Sequence, residues 1–68
     1  MLDAEKLNEA IKQQGLTISV LADNVGINKS TFYRKLRDGG DKFQLWEIES
    51  IVKHLRITKH DAIEIFLP

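Results

Sequence analysis

The sequence predicts an all-α fold, a compact bundle of about five short helices. Three observations carry this reading. Apolar residues recur three and four positions apart in successive short runs, and no tract alternates apolar and polar residues for long enough to make a strand. Each run also follows a residue suited to capping a helix, and the first three are closed by glycine. The single proline, Pro68, is the last residue, so none breaks a run.

The first helix is expected behind Asp3, whose carboxylate can accept from backbone N–H groups left unpaired in the first turn. Ala4, Leu7, Ala10 and Ile11 form its apolar face, and Gly15 ends it. Thr17 caps a second helix with Val20, Leu21 and Val25 on its apolar side. Ala22 leaves room there for a close helix crossing, and Gly26 stops the helix after roughly two turns. Asn28 caps a third helix in which Phe32 and Leu36, four apart, share a face. Gly39-Gly40-Asp41 then turns the chain. A fourth helix is expected over Leu45 to Leu55, with Leu45, Ile48, Ile51, Val52 and Leu55 inward, Gln44 as cap and Phe43 folded back over its first turn. The last follows Thr58, paired with Asp61 at capping-box spacing, and buries Ala62, Ile65 and Phe66.

A chain of 68 residues makes one domain, residues 1–68, and its 43% hydrophobic content is that of a folded protein. It has no cysteine, which excludes disulfides and thiolate metal sites. No stretch is apolar for long enough to span a membrane and no signal-peptide pattern is seen, so a cytoplasmic protein is expected. Net charge is zero but unevenly spread. Residues 28–42 hold Lys29, Arg34, Lys35, Arg37 and Lys42 against Asp38 and Asp41, a net +3, whereas both flanks are acidic.

Catalytic chemistry finds little purchase. His54 and His60 are read as solvent-exposed side chains outside any metal-ligand arrangement, no serine lies in a nucleophile elbow, and "RDGGD" reads as a turn. No enzyme activity, metal, cofactor or small-molecule substrate is expected. Trp46 falls beside the inner face of the fourth helix and has three readings: covering the core edge, touching a DNA sugar, or packing on a second subunit. Phe66 and Leu67 are expected in the core or in a dimer contact.

The informative stretch is "LTISVLADNVGINKSTFYRKL", two short helices joined by a glycine turn. Leu21, Val25, Ile27, Phe32 and Leu36 close the angle between them, the pattern of a helix-turn-helix over about residues 17–38. It resembles the helix-turn-helix of the Cro and C1-type (XRE-like) phage repressor family. Thr17, Leu21-Ala22, Gly26, Asn28, "KSTFYRKL" and Gly39 carry that resemblance, and the rest of the chain is similar to small phage or prophage regulators. It departs from the family at two places. Ile18 follows the capping threonine where a polar residue is usual, which leaves Ser19 and the helix amides for that phosphate contact. Lys35 stands where an apolar residue is usual.

The resemblance implies a lambda-repressor-like domain that regulates transcription by occupying double-stranded DNA, two copies serving a pseudo-palindromic operator. Lys29, Ser30, Thr31, Tyr33 and Arg34 are the expected groove-facing residues, arginine and lysine suiting guanine acceptors and the hydroxyls suiting base or phosphate. Lys35, Arg37 and Lys42 are expected on phosphates, and Thr17 and Asn28 as caps with DNA contact beside that role. The alternative is a small helical protein-interaction module, of antirepressor or antitoxin type, that keeps the fold without touching DNA.

Overall fold

The computed structural model describes residues 2–68, which hold five helices: α1 (Ala4–Gln13), α2 (Ile18–Val25), α3 (Lys29–Arg37), α4 (Leu45–Leu55) and α5 (Lys59–Phe66). The expected caps start four of them. The side chains of Asp3, Thr17, Asn28 and Thr58 accept from the backbone N–H groups of Lys6, Val20, Ser30 and Asp61 at 3.1, 3.2, 2.9 and 3.1 Å. At α4 the acid works in reverse: Glu47 reaches back to accept the Gln44 N–H at 2.7 Å, the acidic half of a capping box.

The buried apolar residues form one cluster centred on α2, which packs against α1, α3 and α4, while α5 closes over α1. Leu21 and Ala22 are wholly buried, and the methyl of Ala22 lets the neighbouring helices approach closely. Phe32 of α3 is wholly buried as well, its ring edge-on to Phe43 with centroids 5.3 Å apart and planes at 67°. The path from α2 to α3 turns on Gly26, whose φ of 89° is costly for any residue with a Cβ. Its N–H and that of Ile27 both return to the Ala22 carbonyl.

The end of α3 is pinned from the other side of the chain. Leu2 donates its N–H to the Gly39 carbonyl at 2.8 Å, and Asp3 donates to the Ile65 carbonyl at 2.7 Å. A Cβ on Gly40 would stand 2.5 Å from that of Leu2, so glycine is required there for space as well as for its φ of 82°. Arg56, the C-cap of α4, takes a left-handed φ of 54° without being glycine.

Several expected core positions face outward instead. Ala4 and Val20 are exposed, and Leu45, at the first position of α4, is 73% exposed because the helix begins before its inner stripe does. Trp46 does not cover the core edge: it is half in solvent, and its Nε1–H donates to Gln44 Oε1 at 2.9 Å. Leu67 lies outside the core, while Phe66 is half-buried against it. His54 is half-buried rather than exposed, with Nδ1 2.8 Å from the Ser50 carbonyl oxygen. His60 is exposed and pairs one turn on with Glu64, 3.3 Å away, an i, i+4 acidic neighbour that was not expected for it.

Glu64 also receives the Lys6 ammonium at 3.1 Å, tying α5 to α1. The hydrogen bond from Lys6 holds the Glu64 carboxyl below its usual 4.5, helped by the Lys6 and His60 charges, and the same bond raises Lys6 above its usual 10.5. A depressed acid contributes stability above its unfolded pKa and loses it as pH falls through the folded one. A raised base does so below its unfolded pKa and loses it as pH climbs through the folded one.

Two outcomes follow for unfolding experiments. Phe32→Ala should cost about 3–5 kcal/mol in urea denaturation, enough to unfold most of so small a domain. Glu64→Gln should lower the neutral-pH Tm slightly and flatten the fall below about pH 4.5 by the same small amount, since what the exposed pair loses on acidification is what it contributed above it.

Candidate nucleic-acid interface

The placement of α3 follows from its two ends and its buried stripe. Asn28 accepts from the Ser30 and Thr31 N–H groups at 2.9 and 3.4 Å, fixing the first turn, and Phe32 with half-buried Leu36 turns one side into the core. At 100° per residue the opposite side then carries Ser30, Arg34 and Arg37, with Tyr33 on its flank, all exposed. Lys29 lies beside this stripe at the exposed first position, while Thr31 is half-buried toward the other flank. Arg34 and Arg37 also stand in the last turn of α3, where cations complement the negative end of the helix dipole.

The turn brings α2 to the start of this face. Ser19, Val20 and Asp23 of α2 line a shallow recess together with Ile27, Asn28 and Lys29, so three of the expected site residues meet there. Thr17 sits exposed at the head of α2, committed to the Val20 N–H. Lys42 is exposed in the loop before α4, outside the recess and beyond the end of α3. Asp23 was not among the expected residues; it adds a carboxylate to the recess that Lys29 also lines.

Lys35 corrects the expectation most sharply. Its side chain is only 13% exposed and points away from the arginine stripe. The ammonium lies 2.8 Å from both carboxylate oxygens of Glu47, itself 4% exposed, and 5.8 Å from the centroid of Phe43. A lysine so engaged is not free to meet a phosphate. Glu47 was missed in the sequence, although a glutamate three residues after a helix cap is the spacing that could have revealed it. No side-chain nitrogen or oxygen is left buried without a partner among the described residues.

Among the described residues, no three of the His, Asp and Glu side chains converge as metal ligands, and no helix is long and apolar enough to cross a membrane. No family model, curated protein or solved structure matches this chain.

Removing one member of a buried ion pair strands the other charge. Lys35→Met should therefore destabilise the domain by about 3–5 kcal/mol. Lys35→Met combined with Glu47→Gln, which keeps an acceptor for the Gln44 N–H, should recover most of that loss in parallel urea titrations.

Proposed function

We propose that the protein is a sequence-specific binder of double-stranded DNA, a lambda-repressor-like regulator related to the Cro and C1-type phage repressors. In this reading α3 enters the major groove and the bound protein controls transcription by occupying its operator. The observation that carries it is the outer stripe of α3, where Ser30, Tyr33, Arg34 and Arg37 stand together beside Lys29 on a helix whose opposite side is anchored in the core. That stripe supplies donors for guanine and phosphate and an aromatic hydroxyl, on an element short enough to lie in a groove. Ser19 and Thr17 at the head of α2 would meet the backbone of one strand, and Lys42 the flanking phosphates. Two copies on a pseudo-palindromic operator would give the base-pair count that one such module lacks.

A second reading has a specific observation in its favour. Leu45, Trp46, Ile63 and Leu67 are exposed on a chain of zero net charge, which suits a protein-interaction module of antirepressor or antitoxin type. Retention on heparin at low salt separates the two, because only the DNA reading requires binding that weakens steeply as salt rises.

Replacing Lys29 and Arg34 together by alanine should weaken duplex binding by about 1–3 kcal/mol for each base edge left without its donor, with thermal unfolding nearly unchanged. A double variant that shifts duplex DNA as well as the wild type does would remove α3 as the reading element.

A further inference from the structure

We propose that Lys35 is a positioning residue for DNA reading: it makes no contact with DNA, and through Glu47 it sets the rotation of α3 about its own axis. The inference rests on the DNA-binding reading and adds a residue to it that the face of α3 does not display.

Four observations converge on Lys35. Its ammonium makes two 2.8 Å hydrogen bonds to one carboxylate, a charge-assisted tie between α3 and α4. The carboxylate is itself fixed, since Glu47 Oε1 also accepts the Gln44 N–H at 2.7 Å at the start of α4. Phe43, just before that start, packs on Phe32 in the core and lies under the Lys35 ammonium. The pair is almost wholly withdrawn from solvent, so salt screens it weakly. Apolar contacts are non-directional, so by themselves they fix the roll of a helix less sharply than a paired charge does. Rolling α3 would pull the ammonium off a buried carboxylate, leaving two charges unpaired.

The consequence is a division of labour along one helix. Lys29, Arg34 and Arg37 remain for DNA, and Lys35, although equally charged, adds nothing to the counterions released on binding. Its effect falls on discrimination. Base contacts need donors held at the right angle, whereas non-specific phosphate contacts tolerate a loosely held helix.

The test uses the whole chain and a duplex selected from a random library. Binding to this duplex and to a random-sequence duplex of equal length is followed over a salt series. The variants are Lys35→Met/Glu47→Gln, which removes both charges, and Arg34→Ala. The paired variant should bind the selected duplex about tenfold more weakly, bind the random duplex as the wild type does, and keep the wild-type salt slope. Arg34→Ala should lower the slope by about one. A paired variant that loses about one unit of slope and weakens equally on both duplexes would make Lys35 a phosphate contact. One that discriminates like the wild type would make the pair structural only; either result overturns the inference.

Amine acylation of the wild-type protein, read by mass spectrometry, tests the absence of a Lys35–DNA contact without any variant having to fold. Lys35 should label slowly with or without DNA, while Lys29 labels readily and is protected by the selected duplex. Rapid labelling of Lys35 that DNA suppresses would overturn the inference. If the wild type binds no duplex in a salt-dependent way, the DNA reading falls and this inference with it. A failure confined to Lys35 leaves that reading standing.

Discussion

A carboxylate removed from water must find partners that replace its hydration, and Glu47 meets that demand with two. The Lys35 ammonium bridges both of its oxygens, and the Gln44 N–H takes a further share of one. Three elements are thereby fixed against one another: the middle of α3, the turn after it and the first turn of α4. The aromatic contact between Phe32 and Phe43 fills the space beneath, so the polar and apolar parts of this junction support each other. In so short a chain, where few residues are wholly buried, one such junction accounts for much of what holds α3 in a single orientation.

That orientation gives the net charge its meaning. With Lys35 neutralised internally, the exposed positive charge of α3 is that of Lys29, Arg34 and Arg37, displayed on and beside one face. Acidic residues lie on α1 and α5, where Glu64 is shared between Lys6 and His60, and also near α3, with Asp23 in the recess and Asp38 at the helix end. The molecule is neutral in sum, with the exposed cations of α3 gathered on and beside one face. For a partner within about a Debye length of α3, the face presented counts for more than the total.

Much of the architecture is legible in the sequence because local rules decide it. Asp3, Thr17, Asn28 and Thr58 cap helices through side chains that reach only two or three residues onward, and Gly26 marks a turn that other residues would strain. What escaped detection depends on contacts that spacing does not encode. Val20 and Leu45 obey a helical repeat yet face solvent, because the repeat says which residues share a side but not how far the covering elements extend. Lys35 and Glu47 lie twelve residues apart on different helices, so their bond appears only once the turn at Gly39 and Gly40 has brought α4 back beside α3. The outer stripe of α3 was readable because Phe32 and Leu36, four apart, mark the inner side opposite it. The withdrawal of Lys35 was signalled only by its standing where an apolar residue is usual, and its counter-ion was not visible at all.

Arg56 gives the fold an adjustable property. At the end of α4 it holds the left-handed conformation that glycine or asparagine adopts more readily, a strain on the order of 1–2 kcal/mol for a residue with a Cβ. The residue is exposed, and it lies one helix away from α3 in the chain. A change of this one side chain alters how firmly the domain is folded without altering the surface that α3 presents. At Arg56, unlike at the Lys35–Glu47 pair, robustness can drift while recognition is held.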